Sequence, residues 1–210
     1  PEFAKAISEN IKAPMHILTG KEEAFYSYIG AAGTSGALTA VVDIGGGSTE
    51  ICMGFGTDIG FRISFPLGCV RCTGQFDVVG ARGIGELKKH CFELFPQADE
   101  VASVKRWIFV GGTATSIAAM LQKLDVYDAS RVQGFVLKPE EVSDLLKQLF
   151  SMSYEERCHI PGLRPERADI IVAGVAILDA LMEYFAIPEA TVSDRDLQEG
   201  LLDADLVKPE

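Results

Sequence analysis

Apolar residues recur at helical spacing at the start of the chain, with Phe3, Ile7 and Ile11 at i, i+4 and i+8. This predicts a helix over 3–12, ended by Pro14. Residues 15–18 read as a short strand and Thr19-Gly20 as a turn. Residues 22–32 read as a second helix, with acids in the first turn where the helix dipole favours them. Residues 33–36 read as a loop. Residues 38–44 are nearly all apolar, the pattern of a central strand covered on both faces. Residues 50–54 and 59–65 follow as two strands joined by a glycine-bearing hairpin turn. In the second of these, Ile59, Phe61, Ile63 and Phe65 repeat with period two.

Helical spacing returns at 85–95, with Leu87, Cys91, Leu94 and Phe95 facing inward. Residues 106–110 are a further strand, followed by a Gly111-Gly112 turn and a helix over 113–124. Residues 132–137 read as a short strand, and 139–150 as a helix with proline at its first position. Ser153-Tyr-Glu-Glu156 has capping-box spacing for a short helix. Pro165 is expected to open a long helix to about residue 185, buried because residues 170–178 are apolar nearly all round. Residues 190–192 form a strand, and Ser193-Asp-Arg-Asp196 caps a last helix. This order predicts an α/β domain built on a mixed sheet.

At 210 residues the chain holds one large domain or one and a half small ones. Its composition, 48% hydrophobic and 23% charged, is that of an ordinary globular protein. No apolar run is long enough to span a membrane, and no signal peptide is visible. A start at Pro1 rather than Met points to lost upstream sequence. The five scattered cysteines fit a reducing, cytoplasmic compartment better than a disulfide framework. Cys69-Val-Arg-Cys72 has neither a second pair nor a suitably spaced histidine, so it reads as structural rather than as a zinc site. A net charge of −11 disfavours nucleic acid as a partner. A phosphate site here must work through local geometry and metal ions, or borrow basic residues from elsewhere.

The sharpest motif is Asp43-Ile-Gly-Gly-Gly-Ser-Thr-Glu50. A buried strand ends in an acid, then comes a three-glycine turn, two hydroxyls and a second acid. Successive glycines let backbone amides approach an anion with no Cβ in the way. Asp43 and Glu50 flank the turn, where a divalent cation can sit between carboxylates and bound phosphate. The competing reading, a ligand-free glycine hairpin, needs fewer glycines and leaves the strand-end carboxylate without compensation. No lysine follows the glycines, so this is not a Walker loop, and a strand follows where a dinucleotide loop has a helix. Gly111-Gly112-Thr113 opens a helix after a strand and is a second candidate anion site. Glu22 and Glu23, taken alone, read as ordinary helix-start acids. Arg71, Arg164 and Arg167 read as solvated or salt-bridged, and His16, His90 and His159 as non-catalytic.

With these motifs on the page, the chain resembles the exopolyphosphatase / guanosine-pentaphosphate phosphohydrolase family of the actin-like ATPase superfamily. Further stretches that carry the likeness are Thr-Gly-Lys-Glu-Glu-Ala from residue 19, Pro-Leu-Gly-Cys-Val-Arg from 66, Pro-Gly-Leu-Arg-Pro-Glu-Arg from 161 and Val-Ser-Asp-Arg-Asp-Leu-Gln-Glu-Gly from 192. The resemblance implies an actin-like (ribonuclease H-like) α/β domain with a mixed five-stranded sheet flanked by helices. It implies that Glu23 is the catalytic base and that Asp43 and Glu50 hold Mg²⁺, with Glu50 also helping to position the water. Gly45, Gly46, Gly47 and Ser48 would bind the phosphoryl group, and Gly112 and Thr113 would line the far side. Substrates would be inorganic polyphosphate or guanosine pentaphosphate, with no nucleic-acid or membrane partner.

Family members begin with another domain that carries an Asp-x-Gly-Ser-Asn loop, and no such loop occurs here. Residues 1–36 are therefore expected to be a remnant of that first domain with the crossover helix, and 37–210 the second domain. The chain alone is expected to be weakly active or inactive, and to pair as a homodimer through an exposed cleft face. A non-catalytic polyphosphate or guanosine tetraphosphate binder, and half of an actin-like kinase, are the alternatives.

Overall fold

The computed structural model describes residues 2–33, 35–80 and 82–204, with the backbone alone for 2–6 and 204. Helix α1 spans Glu2–Ile11 and α2 spans Gly20–Ala32. Strands β1 (Leu38–Ile44), β2 (Thr49–Phe55) and β3 (Asp58–Phe65) form a meander. Helices α3 (Cys69–Gln75) and α4 (Gly83–Leu94) and a 3₁₀ segment, Phe95–Ser103, lead to β4 (Arg106–Val110) and α5 (Gly111–Leu121). Then come α6 (Ala129–Val132), β5 (Val136–Leu137), α7 (Pro139–Ser151) and α8 (Tyr154–Arg157). A 3₁₀ turn at Pro165–Arg167, α9 (Ile171–Tyr184), β6 (Ala190–Val192) and α10 (Leu197–Ala204) complete the order.

The sheet has six strands in the order β3-β2-β1-β4-β6-β5, one more than expected. β1, β4 and β6 run parallel, and the remaining pairs are antiparallel. Because side chains alternate along a strand, β1 divides its residues between two cores. Ala40, Val42 and Ile44 join Phe109 and the apolar faces of α4, α5, α7 and α9. Val41, with Cys52, Ile108 and Val110, packs under Ala24, Tyr28 and Ile29 of α2. α10 packs on α2, so residues 20–32 belong physically to the layer that covers the sheet. No helix among the described residues is long and apolar enough to cross a membrane.

Several expectations are corrected. Residues 15–18 pair with no strand among those described, and Met15 and Ile17 are exposed. Thr19 is not a turn residue: it caps α2 in a full capping box with Glu22. Ile11 of α1 is exposed, and the Phe3 side chain and Thr34 lie outside the described residues. The strand expected over 132–137 shrinks to Val136–Leu137, because Asp128 caps a helical turn before it and Gly134 turns the chain with φ +82°. Residues 69–75, for which the sequence pattern predicts no element, form helix α3. The long helix expected from Pro165 starts at Ile171 instead. Arg157, buried at 5% exposure, accounts for the break. Its Nε donates to the Ala168 carbonyl at 2.9 Å, which an unbroken helix would commit to an amide one turn on. Its Nη1 donates to Met152 and Leu149 carbonyls at 2.7 and 3.3 Å.

In α9, every residue from Ile171 to Met182 is buried, including Asp179. Lys88 of α4 bonds Asp179 Oδ2 at 2.9 Å and also reaches Glu183, while Ser143 of α7 donates to Asp179 Oδ1. Removing the cation strands a carboxylate in the core. Lys88→Met is therefore expected to cost about 3 kcal/mol in urea unfolding, and Asp144→Ala, in an exposed pair with Lys147, less than about 1 kcal/mol.

Candidate active site

The β1–β2 hairpin carries the glycine run. Its register sets Asp43 opposite Glu50 and Ile44 opposite Thr49, leaving residues 45–48 as the connecting turn. The Gly45 amide closes this turn by donating to the Ser48 carbonyl at 2.9 Å, so that expected anion donor is already occupied. The amides of Gly46, Gly47 and Ser48 donate no hydrogen bond among the described residues, and Gly46 and Gly47 are exposed. None of the three glycines has φ in the left-handed region. A Cβ on Gly47 would meet nothing within 4 Å. Neither backbone conformation nor packing demands glycine at 47. What the missing Cβ leaves is open room beside unspent amides.

Asp43 points to the α2 face of β1, where Ser27 donates to its Oδ2 at 2.9 Å. Glu50, 4% exposed, accepts from Ser64 Oγ of β3 at 2.6 Å. Burial pushes the Asp43 carboxyl up to about 6; the Ser27 hydrogen bond opposes this, and the charges of Asp196 and Glu23 add to it. Burial likewise pushes Glu50 up to about 7, opposed by the Ser64 and Ser48 hydroxyls and reinforced by Asp43 and Glu23. A half-buried and a buried carboxyl, repelling each other, form a site that a cation would relieve. Among the described residues, no group of three or more His, Cys, Asp or Glu makes a metal cage. The pair does fit Mg²⁺, which takes one or two carboxylates and fills its shell with water and phosphate oxygens.

Glu23 stands one helical turn before Ser27 and so shares the face of α2 that reaches Asp43. Its charge adds to the upward shift of both the Asp43 and Glu50 carboxyls. Glu22 is turned to another task. Hydrogen bonds from the Thr19 amide at 2.7 Å and hydroxyl at 2.8 Å pull it down to about 2.

The opposite wall is the start of α5. Gly111 has φ +78°, and a Cβ there would fall 2.3 Å from Asp43 Oδ1. A Cβ on Gly112 would fall 2.0 Å from Arg167 Nη1, so the guanidinium rests on that glycine. Thr113 Oγ1 donates to the Ile44 carbonyl at 2.9 Å, tying α5 to the end of β1. A cavity of about 290 Å³ lies between the walls, lined by Gly45, Gly46, Gly112, Thr113 and Arg167. A second, of about 320 Å³, lies beyond Arg167 and is bordered by Thr115, Tyr127, Arg164 and Asp196. Sequence patterns single out none of Ser27, Ser64, Asp196 and Arg167 as site residues. Only Ser27 had a local signal, its spacing of four from Glu23. Cys69 and Cys72 are buried with their thiols pushed up by burial, and all five cysteines are free.

A mixed sheet covered on both faces, with acids and a glycine hairpin at its centre, defines an actin-like ATPase domain, as in the solved structures this chain resembles. A Ppx/GppA family member from Aquifex aeolicus superposes with a TM-score of 0.87 at 28% identity, over 99% of this chain and 69% of that one. The model of the Ppx/GppA phosphatase family matches residues 1–208, and the chain belongs to that family. Exopolyphosphatase 2 of Mycobacterium tuberculosis is 29% identical over 201 residues, which is 88% of this chain and 62% of that protein. A bifunctional 3-dehydroquinate synthase/phosphatase of Fusobacterium nucleatum is 28% identical over 205 residues, 92% of this chain and 31% of that protein. The chain thus spans less than two thirds of the length of the Mycobacterium and Fusobacterium proteins.

Proposed function

We propose that the protein is a hydrolase of phosphoanhydrides, releasing terminal phosphate from inorganic polyphosphate or the 5′-γ-phosphate from guanosine pentaphosphate. The observation that carries this reading is the unspent amide trio of Gly46, Gly47 and Ser48 beside the Asp43–Glu50 pair. Phosphoryl transfer asks mainly for positioning and charge neutralisation. The three amides, with the Ser48 hydroxyl, hold the oxygens of the terminal phosphoryl group. Arg167, resting on Gly112, adds positive charge from the other wall. Glu23 orients the attacking water and accepts its proton, and the shortened phosphate chain departs. Asp43 and Glu50 would hold Mg²⁺, which when bound neutralises phosphate oxygens. At a net charge of −11, residues 1–210 are proposed to work with a further basic wall, so turnover is assayed in the native full-length protein.

Calorimetric titration with tripolyphosphate is expected to show saturable binding that requires Mg²⁺, and the full-length protein to release orthophosphate. Absence of both overturns the reading. Nucleotide-dependent transfer to an acceptor hydroxyl, with no release to water, supports a kinase instead.

The raised carboxyls give a separate test. The native state of the metal-free protein keeps protons that the unfolded chain has lost. Asp43 and Glu50 therefore lower its stability as pH rises from about 4 to about 7. A cation favours the ionised pair. The gain in melting temperature on adding Mg²⁺ is expected to be small at about pH 5 and to grow towards about pH 8. A gain that does not change with pH removes these two residues as the ion's holders.

A further inference from the structure

The glycine turn is held from behind by α3, and the carbonyls of Gly45, Gly46 and Gly47 all point towards that helix. Cys69 N–H donates to the Gly45 carbonyl at 2.9 Å. Val70 and Arg71 N–H both donate to the Gly46 carbonyl, at 2.9 and 3.0 Å. Arg71 Nε donates to the Gly47 carbonyl at 2.7 Å. In a planar trans peptide the N–H of the next residue points opposite to the carbonyl. Three carbonyls drawn towards α3 therefore turn three amides, those of Gly46, Gly47 and Ser48, away from it together. The described backbone contains no cis peptide that would break this relation.

The first two peptide planes are fixed by backbone amides, and any sequence that starts a helix at Cys69 supplies those. Gly68 lets the turn come that close: a Cβ there would fall 2.4 Å from the Gly46 carbonyl carbon and oxygen. The third plane, between Gly47 and Ser48, is held by a side chain alone. Arg71 is exposed, and among the described residues its guanidinium meets no carboxylate. Among the described residues, the hydrogen bond to Gly47 is the only one its side chain makes.

We propose that Arg71 is a positioning residue for the hydrolytic site, acting through its Nε–H to aim the Ser48 amide at the phosphoryl group. This rests on the function proposed above. Arg71 on this account does not attract substrate by charge; it sets a donor, and a misdirected donor weakens the transition state more than substrate binding.

Two substitutions separate these roles by atom position. Glutamine places its amide nitrogen the same number of bonds from the backbone as arginine Nε, without the charge. Lysine keeps the charge and places a carbon there. In the native full-length protein hydrolysing tripolyphosphate, Arg71→Ala and Arg71→Lys are expected to lower kcat by about 10- to 100-fold, with KM within about threefold of wild type. Arg71→Gln is expected to restore most of kcat. The reverse pattern, with lysine rescuing KM and glutamine not, overturns the proposal in favour of charge steering. Equal loss in all three variants, or loss in none, also overturns it.

Amide NMR spectra give a readout that does not depend on catalysis. The Ser48 amide resonance is expected to move in the alanine and lysine variants and to stay in place in glutamine. An inactive wild-type protein defeats the functional reading, while this spectral test still decides the role of Arg71.

Discussion

Glu23→Gln is expected to lower turnover of the native full-length protein by about 10²–10⁴-fold while leaving the fold and substrate affinity near wild type. Glutamine fills the same space and can still hold a water by hydrogen bonding, but it cannot take the proton. Its neutrality also removes one of the charges that hold up Asp43 and Glu50. Affinity for magnesium tripolyphosphate should therefore be unchanged or slightly weaker, and thermal stability unchanged or slightly higher. The neighbouring acid is the control. Glu22→Gln removes a capping carboxylate from the start of α2 and should act on stability, not on the chemical step. Near-native turnover in Glu23→Gln takes that residue out of the role of base.

Gly47→Ala should separate activity from stability. The position has no left-handed φ, and an added methyl meets no protein atom within 4 Å. Restricting the unfolded chain at such a site leaves stability unchanged or raises it by about 0.4–1 kcal/mol. The same methyl stands beside the unspent amides and crowds an incoming phosphoryl group, so kcat/KM is expected to fall by about 10²–10³. A variant that is both destabilised and impaired shows that the glycine serves the fold. Full activity shows that no anion sits there.

These outcomes bear on how much the linear sequence reveals. β1, β4 and β6 match their predicted bounds because each is a compact apolar run with sharp polar or glycine ends. Helix α3 went unrecognised because Gly68 provides no side-chain cap. Its first amides are satisfied by Gly45 and Gly46, far back in the chain, and no local pattern records that. The same reason governs the site. Asp43 and Glu50 were legible together because a tight hairpin must bring its ends opposite each other. The glycine run alone does not disclose that closing the hairpin takes up the Gly45 amide. The approach of Arg167 to Gly112 has no local signature, because it joins a 3₁₀ turn to the start of α5, which only the tertiary fold brings together.

The Arg157 clasp has a consequence for how this family can diversify. One side chain, on α8 inside the connection from α7 to α9, grips carbonyls at both ends of that connection, so the loop that follows it and bears Arg164 and Arg167 is anchored at its two roots. Such a loop can change in length between its two anchors, provided Arg157 is kept, without disturbing the helices that frame it, so variation in this family has room here.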